Sequence, residues 1–143
     1  MRFIKINLAV ILFFIFCVNN KFIFATEKPV YQVTIEEFLT NIMNGQIDVA
    51  YNKILQGSLI QEQGESIKNL KKQTSYGLNV YGKSLGFELV KQQNYSDSLA
   101  RMVYIVKCEK HPLIWEFYFY KSQNEWVLVY IVFNDKFDLL ADK

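Results

Sequence analysis

The sequence has few histidines and cysteines, and few prolines and glycines. Its 143 residues include one histidine, two cysteines, two prolines and six glycines. So few glycines and prolines exclude collagen-like and linker-type chains, and an apolar content of 51% excludes an intrinsically disordered one. The glycines are too widely spaced for a phosphate-binding loop, and no serine lies in a nucleophile elbow. We therefore expect no cofactor.

The sequence also has little excess of positive charge. The formal net charge is +2, and the only basic cluster, Lys68, Lys71 and Lys72, lies close to Glu62 and Glu65. A nucleic-acid site would extend such a cluster into a basic stripe interleaved with exposed aromatic residues. The pattern instead indicates a solvated helix face, and no nucleic-acid partner is expected.

Long apolar runs occur only at the N-terminus, where residues 1–25 have the layout of a secretory signal peptide. Arg2 and Lys5 form a basic start, residues 8–18 are continuously apolar, and Ala25 is a small residue at the expected cleavage position. The run is shorter than the about 20 residues that span a membrane. The sequence predicts a secreted or periplasmic protein, with an uncleaved N-terminal anchor as the alternative and the only membrane association.

Removal of residues 1–25 changes both the charge and the cysteine count. Basic residues fall from 16 to 13 against 14 acidic ones, so the mature charge is −1. Cys108 becomes the only thiol, which excludes an intramolecular disulfide and leaves a buried apolar side chain or an intermolecular disulfide. One cysteine and His111, in a predicted exposed turn, are too few for a structural zinc site. No metal site is expected.

Helical signals begin after a predicted N-terminal extension at residues 26–33, and residues 34–143 form one predicted domain. Residues 34–37 read as a capping box with Thr34 as the N-cap, and Val33 and Phe38 would form a hydrophobic staple. Apolar residues at helical spacing then continue to Gly45, and a second such pattern from residue 47 stops at Gly57. A weaker third helix is predicted at residues 63–76 or one turn beyond.

From residue 83 the apolar period changes from helical spacing to two. Turns at residues 94–98, 109–112 and 122–124 separate four alternating segments, of which residues 113–120 alternate most regularly. Short turns between alternating strands predict an antiparallel meander. Helices followed by strands predict an α+β domain, with the N-terminal helices packed on one face of a curved sheet of about four strands.

This order of elements, with the aromatic run Leu113-x-Trp115-x-Phe117-x-Phe119-Tyr120 followed by Trp126-x-Leu128, resembles a small secreted member of the nuclear-transport-factor-two-like superfamily. The likeness is one of architecture and covers nearly the whole mature chain. It implies a cystatin-like cone in which a curved sheet wraps around helices, often with an apolar pocket and often dimeric through the sheet. The superfamily has no universal catalytic motif, so the resemblance assigns no catalytic residue.

The third and fourth strands carry the strongest candidate site. A three-residue turn at residues 122–124 would pair Lys121 with Glu125. That register places three pairs on one face of the sheet, namely Glu116 with Tyr130, Tyr118 with Leu128, and Tyr120 with Trp126. Because side chains alternate, a slip of one residue would exchange the faces of the last strand.

Two functions fit this face. Glu116 beside Tyr130 could act as a carboxylate base with hydroxyl donors in a pocket isomerase or hydrolase, and Glu88 is a further candidate base. However, Trp115, Phe117 and Phe119 form the more apolar face, which should meet the helices and leave the tyrosines outside.

We therefore favour a non-enzymatic module in which Tyr118, Tyr120 and Trp126 contact a second copy of the chain or another protein. The other alternative is a carrier of an apolar small molecule or lipid, which would need a pocket between the helices and the concave side of the sheet.

Overall fold

The computed structural model describes residues 27–140, in which helices precede strands. The predicted signal peptide and its cleavage after Ala25 lie outside the described residues. The helices are α1 (Val30–Met43), α2 (Ile47–Ile54) and α3 (Gly64–Tyr81), with short 3₁₀ helices at Leu59–Glu62 and Phe137–Leu140. The strands are β1 (Ser84–Ser96), β2 (Leu99–Cys108), β3 (Leu113–Ser122) and β4 (Glu125–Asn134). Within residues 27–140, no helix is long and apolar enough to cross a membrane.

The N-cap of helix α1 is Pro29, five residues before the N-cap that the capping box predicts. The carbonyl of Pro29 accepts the first helical bonds, from the amides of Gln32 at 2.9 Å and Val33 at 3.2 Å. Proline suits this position because its fixed φ and missing N–H cost little at a helix start. Thr34 lies inside the helix, where its hydroxyl donates to the Val30 carbonyl at 3.0 Å, so the predicted capping box is wrong. Tyr31, in the predicted extension, is buried in the core.

The predicted helix ends are confirmed. Gly45 and Gly57 follow α1 and α2 with φ of +74° and +76°, which is the left-handed conformation that glycine adopts most readily. Helix α3 continues past Tyr76 to Tyr81, slightly more than the predicted extra turn. The Lys53 ammonium on α2 forms an ion pair with Glu37 on α1, and so links the two helices of the hairpin.

The sheet confirms the predicted α+β class. Its four strands are antiparallel in the order β1-β2-β3-β4, so each strand pairs with its neighbours in sequence. Strand β1 continues to Ser96, into the turn predicted at residues 94–98, so the observed turn contains only Asp97 and Ser98. Three register shifts interrupt β1, near Gly86, Val90 and Tyr95. Such bulges bend a strand and increase its twist.

One face of the sheet, here called the inner face, packs against the helices. Phe38 of α1 lies in edge-to-face contact with Tyr51, Trp115 and Phe117, at centroid distances of 5.2, 5.3 and 5.8 Å. Trp115, Phe117 and Phe119 are all buried in this cluster. The predicted inward orientation of these three residues is confirmed, and the side chains that alternate with them, those of Glu116, Tyr118 and Tyr120, therefore point to the outer face.

Candidate functional site

The register of β3 and β4 differs from the predicted one because the turn is shorter. Ser122 pairs with Glu125, so the turn contains only Gln123 and Asn124, with Gln123 at a φ of +60°. Lys121 therefore pairs with Trp126 rather than with Glu125. Since side chains alternate across a strand, this one-residue difference moves Trp126 to the inner face.

Trp126 is consequently not part of the outer surface predicted to bind a partner. Its ring packs edge-on against Tyr31 of α1, with a centroid distance of 4.8 Å. It is half-buried against the main apolar core. The tryptophan therefore anchors the start of β4 to the first helix.

Further along β4, a bulge returns the side chain of Tyr130 to the outer face. Phe119 pairs with Leu128 and Tyr118 with Tyr130, which leaves Val129 as the extra residue. Tyr130 thus faces outward as predicted, but opposite Tyr118. The predicted pairs of Glu116 with Tyr130, Tyr118 with Leu128, and Tyr120 with Trp126 are wrong, since the partners are Val132, Tyr130 and Val127.

The outer face carries four tyrosines that we call the tyrosine face: Tyr95, Tyr118, Tyr120 and Tyr130. The rings of Tyr95 and Tyr118 are stacked with a centroid distance of 6.2 Å, and Tyr118 meets Tyr130 edge-to-face at 5.6 Å. Tyr95, Tyr120 and Tyr130 are each about half exposed. Sequence reasoning missed Tyr95 because it placed this residue in a turn instead of β1.

Beneath the tyrosine face lies a buried ion pair that sequence reasoning also missed. The Arg101 Nε donates to Glu116 Oε1 at 2.5 Å, and the two side chains are only 1% and 2% exposed. The Arg101 Nη1 donates to Gln93 Oε1 of β1 at 2.6 Å, so the guanidinium links three strands. The available signal was that Arg101 is the only charged residue in an otherwise uncharged segment, residues 99–106.

The two buried side chains affect the pKa values of their own neighbourhood. Burial alone would lower the pKa of Arg101, but the hydrogen bond and charge of Glu116 outweigh it and raise that pKa. Burial raises the pKa of Tyr118 to about 12, and the Tyr95 hydroxyl and the Glu116 carboxylate act in the same direction. Tyr118 is therefore a neutral phenol at neutral pH, and can donate a hydrogen bond but cannot serve as a base.

The candidate catalytic carboxylates are both engaged by cations. Glu116 lines an open depression of about 410 Å³ together with Tyr118, Val129 and Tyr130, but its carboxylate is covered and bonded to Arg101. Glu88 contacts the Lys107 ammonium at 2.7 Å on an exposed part of the sheet. A general base needs access to the proton that it abstracts, which the covered carboxylate of Glu116 lacks. Glu88 is accessible but lies outside the depression that Glu116 lines.

His111 and Cys108, the other residues that could carry chemistry, pack against neighbouring side chains. His111 lies between the rings of Tyr81 and Phe137, at centroid distances of 5.2 and 5.8 Å. Cys108 is buried, which raises the pKa of its thiol, and it lies 3.9 Å from the Ser84 hydroxyl. Among residues 27–140, no three His, Cys, Asp or Glu side chains are grouped to hold a metal ion.

Comparison with family models, with curated proteins and with solved structures found no match to this chain. The tyrosine face combines aromatic area and uncharged hydroxyls with a buried ion pair beneath them. These properties suit the binding of another molecule by contact and hydrogen bonding.

Proposed function

We propose that the protein is an exported, non-enzymatic interaction module that binds a protein partner through the tyrosine face. The observation that carries this proposal is the set of four tyrosines that β1, β3 and β4 hold on one face of the sheet, above a buried ion pair. Tyrosine is enriched in interface centres because it joins a large apolar ring to a hydroxyl. The proposed export rests on the basic start, the apolar run and Ala25 in residues 1–25.

The tyrosine face is preorganised for binding. Tyr118 contacts both Tyr95 and Tyr130, and its strand is tied to β2 and β1 through Glu116, Arg101 and Gln93. Side chains that are already ordered lose little conformational entropy when a partner binds. Because the charges beneath are paired, the surface presents neutral hydroxyls, which favours a partner surface with apolar groups and exposed hydrogen-bonding atoms.

The arrangement of elements supports the proposed superfamily and the choice of an interaction module over a carrier. Three helices before a four-stranded meander agree with a small variant of the nuclear-transport-factor-two-like cone, which the aromatic run of β3 suggests. We prefer the interaction module to the apolar carrier because Phe38 contacts Trp115 and Phe117 in the space between helix and sheet that a carrier would use.

The test compares the tyrosine face with an exposed tyrosine on helix α3. Tyr120→Ala with Tyr130→Ala removes two half-exposed rings while leaving Tyr118 above the ion pair. Tyr76→Ala is the control, because Tyr76 is 71% exposed on α3, away from the sheet. Each tagged protein is incubated with the native secretome or periplasm, and the retained proteins are quantified.

We expect a partner that the wild type and Tyr76→Ala retain and that the double variant loses. Equal retention by all three proteins would contradict the proposal, as would the absence of any protein retained specifically by the wild type. Sedimentation of the same variants examines the second version, a homodimer through the tyrosine face. A wild-type dimer that only the double variant dissociates would favour that version.

A further inference from the structure

The outer face of the sheet carries an apolar patch beside the tyrosine face. We call it the outer patch, and it consists of Val103, Ile105, Ile114 and Val132. Val103 and Ile114 at its centre are fully buried. Val132 lies two positions from Tyr130 on β4, and side chains two positions apart point to the same face of a strand. The outer patch and the tyrosine face are therefore parts of one continuous surface.

The chain that follows β4 folds back over the outer patch. Residues 135–140, here called the strap, include the 3₁₀ helix Phe137–Leu140, which packs against β3. Leu140 contacts the outer patch and is half-buried. This leucine therefore helps to keep Val103 and Ile114 from water on a face that points away from the helices.

The described contacts at the start of the strap are on the surface of the molecule. The Tyr81 hydroxyl at the end of α3 donates a hydrogen bond to the Asp135 carboxylate. The Phe137 ring, which is 53% exposed, stacks on His111 with a centroid distance of 5.8 Å. A segment with few buried apolar contacts opens at a lower free energy than the core of a domain. The strap is therefore easier to release than the sheet beneath it.

The tyrosine rings alone are a small area for a stable protein interface. A buried tyrosine covers about 150–250 Å², and Tyr95, Tyr120 and Tyr130 are each about half exposed. These rings together offer about 300 Å², whereas a stable interface buries about 800 Å² on each partner. The outer patch is neighbouring apolar area that a partner can reach only when the strap is open.

We propose that the strap is an autoinhibitory cover that competes with a partner for the outer patch. A closed strap leaves only the tyrosine face for binding. A partner that contacts both surfaces binds the open state better, and its apparent dissociation constant is the intrinsic one divided by the open fraction. Competition with a partner rests on the function proposed for the tyrosine face, whereas opening of the strap is measured without a partner.

Two matched leucines allow a controlled test. Leu140 lies in the 3₁₀ helix of the strap, whereas Leu59 lies in the 3₁₀ helix Leu59–Glu62 and is 79% exposed. Leu140→Ala removes the contact with the outer patch, Leu140→Met keeps an apolar side chain of similar volume, and Leu59→Ala is the control. Trypsin cleavage after Lys136 measures the open population of the strap. Fluorescence of anilinonaphthalene sulfonate measures exposed apolar surface, and circular dichroism verifies folding.

We expect Leu140→Ala to be cleaved after Lys136 at least about threefold faster than the wild type and to bind more dye. Leu140→Met and Leu59→Ala should match the wild type in both measurements. Unchanged cleavage of Leu140→Ala would overturn the proposal. Faster cleavage without added dye binding would also overturn it, because the outer patch would then stay covered when the strap opens.

Partner binding is measured on the same proteins with the native secretome or periplasm. Leu140→Ala should retain at least about threefold more of a protein that Tyr120→Ala with Tyr130→Ala loses. Equal retention of that protein by Leu140→Ala and the wild type would overturn the competition. If neither retains a specific protein, the function proposed for the tyrosine face is contradicted, and with it the competition, even where cleavage shows that the strap opens.

A second variant covers the case in which Leu140→Ala does not fold. His111→Ala removes the ring on which Phe137 stacks and leaves both Leu140 and the cleavage site unchanged. Tyr76→Ala is its control, because Tyr76 is 71% exposed on α3. The proposal predicts faster cleavage after Lys136 and stronger dye binding for His111→Ala only. Equal values for the two variants would contradict it.

Discussion

The two edge strands of the sheet present very different surfaces to another strand. Strand β1 carries Glu88 and Lys91 and is interrupted by three register shifts. Strand β4 is uncharged over residues 126–134 and has one bulge, at Val129. Charges and bulges are the features by which sheet proteins prevent edge-to-edge pairing. Strand β1 is therefore better protected against such pairing than β4 is.

The two ion pairs on the outer face differ as much as the two edges do. At the β1 edge, Glu88 and Lys107 form an ion pair whose side chains are 60% and 48% exposed. In the middle of the sheet, Arg101 of β2 and Glu116 of β3 form one that is almost fully covered, with tyrosines above it. Water screens the first pair and is excluded from the second. Loss of one partner should therefore change the free energy of unfolding much more at the buried pair than at the exposed one.

The largest predicted effect separates these two ion pairs. Glu116→Gln leaves the buried Arg101 guanidinium without its counter-charge, which we expect to cost about 3 kcal/mol in the free energy of unfolding. Glu88→Gln, the matched change at the exposed pair, should cost less than about 0.5 kcal/mol. Chemical denaturation measures both variants. Similar losses would show that the cover over Arg101 does not exclude water.

The second effect compares large side chains at the beginnings of the edge strands. Trp126→Ala removes a ring packed against Tyr31, and should cost about 2 kcal/mol through loss of buried apolar contact. Leu85→Ala on β1 should cost less than about 0.5 kcal/mol, because Leu85 is 62% exposed. The midpoints of denaturant unfolding decide the comparison. A loss for Leu85→Ala that matches that of Trp126→Ala would refute the account of how β4 is anchored.

The third effect concerns the hydrogen bond between Ser58 and Leu128 of β4. Ser58→Ala removes the donor to the buried Leu128 carbonyl, which should cost about 1–2 kcal/mol. Ser96→Ala at the end of β1 is the control, because Ser96 is exposed and contacts only the Ser98 side chain and amide. We expect a small change for the control. Thermal unfolding of the two variants tests this, and equal midpoints would contradict a stabilising role for this hydrogen bond.

The smallest effect is pH-dependent and lies on the β4 side of the outer face. The pKa of Tyr118 is raised to about 12 in the folded protein, whereas an unfolded tyrosine titrates near 10. The folded state therefore holds this proton more tightly, and its contribution is fully present below about pH 10 and lost as the pH rises through about 12. We expect this contribution to the free energy of unfolding to be about 1 kcal/mol. Tyr118→Phe should therefore lose less stability than the wild type as the pH rises from about 10 to about 12. Identical alkaline profiles would argue against a buried Tyr118 hydroxyl.

The fold was largely predictable from the sequence because each element has a strong local signal. The alternation of residues 113–120 identifies the central strand and assigns Trp115, Phe117 and Phe119 to the inner face. Gly45 and Gly57 mark helix ends because their backbones adopt a conformation that other residues avoid. Thr34 was misleading, since a threonine inside a helix can bond the carbonyl four residues earlier as readily as it can cap a helix.

The candidate site was less predictable because it depends on one-residue details of pairing. The shorter turn at Gln123 moved Trp126 to the inner face, and the bulge at Val129 returned Tyr130 to the outer face. Neither the turn nor the bulge has a distinctive residue pattern here. In the turn, for example, Gln123 takes a positive φ that glycine or asparagine usually adopts. The contact of Arg101 with Glu116 lies diagonally across two strands and becomes visible only once their register is known.

Retention of a partner by surface variants tests the central claim most directly, because it reports on the tyrosine face itself. The wild type, Tyr120→Ala with Tyr130→Ala, and Tyr76→Ala are compared with the native secretome or periplasm at one protein concentration. The account predicts that only the double variant loses a protein that the wild type retains. Equal retention by all three proteins, or no protein retained specifically by the wild type, would contradict it.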